Sequence, residues 1–408
     1  MKFCKLSELC TEIIDCPHST PEWKTHGVRV VRNFNLCRGI LDFTDGYFVD
    51  EQTYEERTKR AVPQPGDIII SREAPVGAAA IVPEGLKCCL GQRLVLLRAD
   101  SSKCSQEYLL FALLSEYVQT QFRRADATGS IVSGIGIKDL KEILVPINEK
   151  PLDKEVQLLT SVNKKISLNS ELCSALQRQL SLIYDLWFTR FDFPDGQGRP
   201  YHSSGGKMEY NSLLKREIPA GWTAANLLEL VSWNGGSQPP KSQHISEYKP
   251  GYVRFIQNRD YADSSHMTFI PESRSNKLCG EYDIMLDKYG AAGTTRFGIA
   301  GAYNVALSRI DVRGEYLQEY IRSFLSSGAV KQYLSGSSMA STRASLNEGN
   351  LSFIDLAVPP GDILEKYERL AKMFVRRILL LREECRELAG LRDRLIPAII
   401  SGQAEITE

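Results

Sequence analysis

The sequence contains no GxxxxGK[ST] run, so it lacks the phosphate-cradling loop of P-loop nucleotide hydrolysis. The nearest glycine cluster, GAAG at Gly290 to Gly293, has neither the strand-turn-helix frame nor the later acidic residue of a dinucleotide fingerprint. Neither Asn-Pro-Pro-Tyr nor Asp-Pro-Pro-Tyr, the signature of amino methyltransferases, occurs. The ten cysteines are scattered, with only Cys88 and Cys89 adjacent and no C-x-x-C pair. That spacing argues against a disulfide framework or zinc site and reads as ordinary thiols in a reducing compartment. Of the five histidines, only His18, in Cys16-Pro17-His18, stands beside another potential ligand, and nothing nearby completes a metal set. Net charge is zero, from 50 basic and 50 acidic residues, so bulk electrostatics does not announce a nucleic-acid partner. Long apolar runs are also missing, and the opening MKFCKLSELCTEIID, with Glu8, Glu12 and Asp15, fits neither a signal peptide nor a membrane span. No catalytic residue, resident cofactor or metal is expected, and a chain acting alone as an enzyme is not.

What is present is a duplication. RVVRNFN, Arg29 to Asn35, returns as RFIQNRD, Arg254 to Asp260, at a shift of 225. GDIIISREAPVG, Gly66 to Gly77, is echoed by EYDIMLDKYGAAG, Glu281 to Gly293, with Asp67/Asp283, Ile68/Ile284 and Gly77/Gly293 related by 216. In each copy an acidic residue enters a short apolar strand, where a turn or cap role is expected, and a loop with a basic residue (Arg72, Lys288) follows. SQEYLLFALLSEYVQTQF, from Ser105, is answered by GEYLQEYIRSFLSSGAVKQYL, from Gly314, both amphipathic helical patterns. IKDLKEILVPI, Ile137 to Ile147, corresponds to LSFIDLAVPP, Leu351 to Pro360. Blocks recurring in one order define an internal repeat.

Each repeat runs into a heptad seam. Leu152, Leu159, Ile166, Cys173, Leu180 and Trp187 fall seven apart, interleaved with Val162, Leu176 and Ile183. Leu364, Ala371, Ile378, Cys385 and Ile399 do the same, with Tyr367, Phe374, Leu381, Leu388 and Leu395 on the companion position. The two seams superpose under a shift of 212, and Glu155, Asn169 and Arg392 are their main polar interruptions. A helix from Leu152 to Trp187 is roughly 54 Å long. The order is therefore domain, long helix, domain, long helix, in a chain whose 408 residues, 43% of them hydrophobic, suffice for two cores. The expected fold class is α+β: two similar globular domains, each followed by a long helix, with the helices paired as an antiparallel intramolecular coiled coil of pseudo-twofold symmetry. Expected boundaries are 1–150 and 217–360 for the domains, 151–190 and 361–408 for the helical regions, and 191–216 for a central linker.

The central run LWFTRFDFPDGQGRPYHSSGGKMEYNSLLKREIPAGW, Leu186 to Trp222, resembles the conserved central region of the DNA-specificity subunits of type I restriction-modification systems. DCPHSTPEW, Asp15 to Trp23, and NGGSQPPK, Asn234 to Lys241, look like the polar loop near the start of each target recognition domain in that family. LRDRLIPAIISGQ, Leu391 to Gln403, looks like the usual end of the second helical region. The helix openings depart from the family's Pro-Leu-x-x-Gln: Pro-Leu-Asp-Lys-Glu stands at Pro151 to Glu155 and Pro-Gly-Asp-Ile-Leu at Pro360 to Leu364.

The resemblance implies a cytoplasmic, non-catalytic subunit that reads a bipartite, gapped double-stranded DNA target, one half per recognition domain. It further implies docking of two methyltransferase subunits and of restriction subunits, which carry the S-adenosylmethionine, ATP and Mg. A specificity subunit of a different, type II-like nuclease-methyltransferase is the alternative, and a non-DNA tandem binding module a more distant one. Two readers held apart by helices contact patches whose centres lie near one turn of duplex, roughly 10 base pairs. Arginine reads guanine, and asparagine or glutamine reads adenine, by paired hydrogen bonds. The candidate DNA-binding residues of the first repeat are therefore His18, Ser19 and Thr20, then Arg32 and Asn33, then Arg72 and Glu73. Those of the second are Ser237, Gln238 and Lys241, then Gln257, Asn258 and Arg259, then Lys288 and Tyr289. Arg123, Arg124, Arg296 and Arg343 are expected to meet phosphates.

Overall fold

The structure, a computed structural model, describes residues 1–43, 46–128, 134–150, 152–262, 267–339 and 345–404. It divides into two compact units: Met1–Ser174 with Leu381–Glu408, and Ala175–Leu380.

In the first unit, Ile68–Ser71 and Leu94–Ala99 are nearly continuous apolar runs because both faces of their sheet are covered. Alternation sends Ile68, Ile70, Val95 and Leu97 to one core and Ile69, Leu94 and Leu96 to another. The four-stranded antiparallel sheet has the order Cys10–Asp15, Leu94–Ala99, Ile68–Ser71, Ala79–Ile81. A second sheet places Val28–Val31 between Phe48–Val49, antiparallel, and Cys88–Leu90, parallel. The repeated heptapeptide is thus a strand followed by the 3-10 turn Asn33–Asn35.

The second unit repeats the plan. Its order is Val231–Gly235, Leu307–Val312, Ile284–Asp287, Thr295–Arg296, and Tyr252–Ile256 runs parallel to Gly301–Tyr303 before the turn Asn258–Tyr261. Buried Asn35 in one unit and buried Asp260 in the other close that turn alike, accepting from the Arg32 and Gln257 backbone N–H at 2.9 and 3.0 Å. Residues 191–216 pack here, with Phe193 stacked on Tyr201 at 4.7 Å and Trp222 at 5.3 Å.

Each expected amphipathic helix is two helices. Gln106–Leu114 and Glu116–Thr128 break at Ser115; Gln318–Ser326 and Gly328–Met339 break at Ser327, the matching residue. Both serines are extended, and the Ser115 hydroxyl turns back to the Ala112 carbonyl at 2.6 Å. The first helix of the earlier pair is buried over Tyr108 to Leu113, so it is a core helix and not an amphipathic one.

The long helices form where the heptads predict, over Asp153–Tyr184, continued by a π-turn at Asp185–Thr189, and over Gly361–Ile400. Within the first unit they run antiparallel. Asn163 meets Arg392 at 3.1 Å, Asn169 meets Glu384 at 2.8 Å and Lys165 meets Glu384 at 3.3 Å, the numbers rising along one helix as they fall along the other. Leu152, Val156 and Leu159 share a core with Ile396, Ile399 and Ile400. Within the second unit Tyr184 and Phe188 pack on Tyr367, at ring distances of 6.3 and 4.7 Å. No described helix is long and apolar enough to cross a membrane.

Candidate nucleic-acid interface

In the first unit, strand ends and connecting loops bring three sequence-predicted segments together. Asp15 ends the strand Cys10–Asp15 and holds two of them: Arg72 reaches both its oxygens at 3.1 and 3.0 Å, and His18 lies 3.1 Å from Oδ2. Ser19 is fixed through its carbonyl by the buried Arg57 at 3.0 Å, and Gln92 holds the His18 carbonyl. Thr20 is exposed. Asn33 joins the repeated turn to the loop after Arg72, its Nδ2 donating to the Ala74 carbonyl at 2.6 Å. Glu73 pairs with Arg93 at 3.2 Å and stands 3.9 Å from the Arg72 guanidinium. Arg32 lies over the rings of Tyr47, Phe34 and Trp23. Arg123 and Arg124 sit apart from these loops on Glu116–Thr128, with Arg123 held by Glu116 and by Thr120 at 2.7 Å.

In the second unit Asn258 repeats the role of Asn33. Its Nδ2 faces Asp287 at 3.2 Å and the Tyr289 carbonyl at 3.4 Å, pinning the matching turn to the matching loop. Arg296 donates to buried Asp287 at 3.1 and 3.0 Å, which commits it to the interior of this site. Burial lifts the Asp287 carboxyl above the usual carboxylate range, and Arg296 opposes the shift. Gln257 Nε2 is 3.3 Å from Thr268 Oγ1, while Arg259 is largely exposed, 3.8 Å from Asp260. Lys288 extends over the Tyr289 ring at 5.8 Å. The Ser237 backbone donates to the Tyr303 carbonyl at 3.2 Å, and Gln238 and Lys241 are exposed beyond it, Lys241 opening a 3-10 turn. Arg343 lies outside the described residues.

The two amides that drew attention as a repeat thus each tie their turn to a carbonyl of the matching loop. Sequence reasoning did not single out Asp15, Arg57 and Arg93, which fix these loops, or Trp23, Phe34 and Tyr47 around Arg32. Of these, Asp15 and Trp23 bound the quoted polar loop and Phe34 lies two residues from Arg32, whereas Tyr47, Arg57 and Arg93 come from elsewhere in the chain. Among the described residues no group of three or more histidine, cysteine, aspartate and glutamate side chains could hold a metal ion. Each unit presents a polar edge of loops on a sheet.

A duplicated α+β unit with such an edge in each copy, and a long helix following each copy, is a tandem two-domain architecture. The chain is 21% identical over 374 residues to the Type I restriction enzyme MjaIX specificity subunit of Methanocaldococcus jannaschii, covering 88% of this chain and 82% of that protein. It shares its fold with the S subunit of a type I restriction-modification system from M. genitalium, at a TM-score of 0.55 and 13% identity, over 100% of this chain and 96% of the other. The HsdS subunit from Thermoanaerobacter tengcongensis aligns over 99% and 97% of the two chains at 15% identity and a TM-score of 0.34. No family model matches the chain. The resemblance carried by the central run is thus met again in a curated relative and in a solved fold.

Proposed function

We propose that this chain is the DNA-specificity subunit of a type I restriction-modification complex, reading a bipartite, gapped duplex target with one half-site per repeat. The carrying observation is the repeated strand, turn and loop, with Asn33 and Asn258 pinning the same loop in both units. Two similar edges on one chain suit two half-sites; a single ligand would not require both. The chain itself is non-catalytic in this reading and acts in the cytoplasm. Methyltransferase and restriction subunits dock on it and bring S-adenosylmethionine, ATP and Mg. The two heptad seams pair along their length as an antiparallel coiled coil that sets the gap.

The test is reconstitution. Methyltransferase subunits purified with this chain should methylate genomic DNA at one gapped motif, and the same subunits alone should not. Methylation of the same motif without the chain would remove the proposal.

A further inference from the structure

The Arg32 guanidinium lies 4.6 Å from the Tyr47 ring centroid, 4.9 Å from Phe34 and 5.4 Å from Trp23. The rings also hold one another, Trp23 against Tyr47 at 4.8 Å and Phe34 against Tyr47 at 5.8 Å. Yet Trp23 is 37% exposed and Phe34 46%, so this cage stands at the surface, where clustered apolar rings mark a contact site. Rings at cation–π distance hold a guanidinium in place without taking up its N–H donors as a carboxylate would. Among the described residues the Arg32 side chain makes no hydrogen bond or ion pair; its one donated bond comes from the backbone.

Three of the other arginines nominated from the sequence differ. Arg72 is committed to Asp15, Arg123 to Glu116 and Arg296 to Asp287. Arg29 is also stacked, on Phe43 and Phe48, but it lies in a strand paired on both sides. Arg32 stands past the end of that strand, in front of a turn tied to the Ala74 carbonyl. A fork held among rings, its donors without a side-chain partner, is pre-organised for a planar, two-acceptor partner.

We infer that Arg32, positioned by Trp23, Phe34 and Tyr47, reads a guanine of the first half-site through paired hydrogen bonds to O6 and N7. This rests on the DNA-reading function proposed above. The guanine edge in the major groove offers that acceptor pair, and adenine does not. Lysine in place of arginine keeps the charge and loses the fork. Glutamine, which stands at the matching position as Gln257, suits adenine instead.

The experiment expresses the full chain with its methyltransferase subunits in a host free of other methylation. The methylated motif is then read for the native chain and for R32K, R32Q and F34A. All should keep the gap and the second half. R32K and R32Q should lose preference at one guanine of the first half by about 10- to 100-fold, and R32Q should gain adenine there. F34A should relax the same position less. An unchanged motif in R32Q overturns the inference. So does uniform weakening at every site with a salt dependence shallower by about one phosphate contact, which would assign Arg32 to the backbone. Should the Arg32 variants lose their melting transition, F34A decides: relaxation at one guanine supports the inference and an unchanged motif overturns it. A native complex that yields no gapped motif overturns the DNA-reading function itself.

Discussion

In the unit formed by residues 1–174 and 381–408, the Arg392 guanidinium donates to Asn163 Oδ1 at 3.1 Å, and both side chains are buried. The same nitrogen donates to the Arg38 carbonyl at 2.9 Å, in a tight hairpin turn where Arg38 and Gly39 have φ of 43° and 96°. A Cβ on Gly39 would come within 2.6 Å of Asn163 Nδ2, and its φ favours glycine, so a residue without a side chain suits the approach of the turn to the helix. One polar pair therefore fixes helix register and ties a loop of the first repeat to it.

Replacing Arg392 with Leu should destabilise this unit by about 1–3 kcal/mol, because buried Asn163 loses its partner and the part-buried Arg38 carbonyl loses its donor. The matching positions in the other unit are Val375 and Leu180, both buried in one apolar cluster. The double variant N163V/R392L should therefore recover part of the loss, since an apolar pair of suitable shape removes the unsatisfied Asn163 amide and leaves only the Arg38 carbonyl without its donor. Chemical denaturation of the two variants checks this; a double variant no better than R392L would contradict it.

Burial pushes the thiols of Cys10, Cys88 and Cys279 up to about 12. The thiolate is the reactive form, so at pH 8 these cysteines should resist alkylation, and their labelling should rise only as pH climbs toward that value or the fold opens. Exposed Cys37 should label first. Mass-spectrometric mapping after brief treatment reads the order directly, and early labelling of Cys88 would contradict it.

Arg259 is the exposed arginine of the second repeated turn. R259A should relax recognition in the second half-site alone, by about 1–3 kcal/mol at the affected base pair, leaving the first half unchanged. The methylated motif of the variant is the readout. Simultaneous relaxation of both halves would show that the units do not read independently.

If the paired seams set the gap, one heptad inserted into each long helix at matched positions should lengthen the unspecified stretch between the halves while preserving both. An active complex with an unaltered gap would remove the ruler role from the helices.

Much of this fold was legible because periodicity is a local signal. The seams that start at Leu152 and Leu364 run along the helices observed, and the polar breaks Asn169 and Arg392 lie within them. The partners of those breaks, Glu384 and Asn163, were not legible, since they depend on antiparallel register between segments far apart in sequence. The break at Ser115 was hidden for a different reason. A run of apolar residues long enough for one helix says nothing about a serine that turns its hydroxyl back on the chain. At the candidate site the repeat exposed Asn33 and Asn258 but not their work, because each acts on a carbonyl brought up by another strand. Arg32 was visible as a candidate; Trp23 and Tyr47 reach it only through the fold.

The most direct measurement is a single-molecule methylome of the host with and without this gene, its methyltransferase partners intact. The account predicts that one gapped, two-part methylated motif disappears on deletion and returns on complementation. A full set of motifs unchanged by deletion, in cells shown to produce the chain, would contradict it.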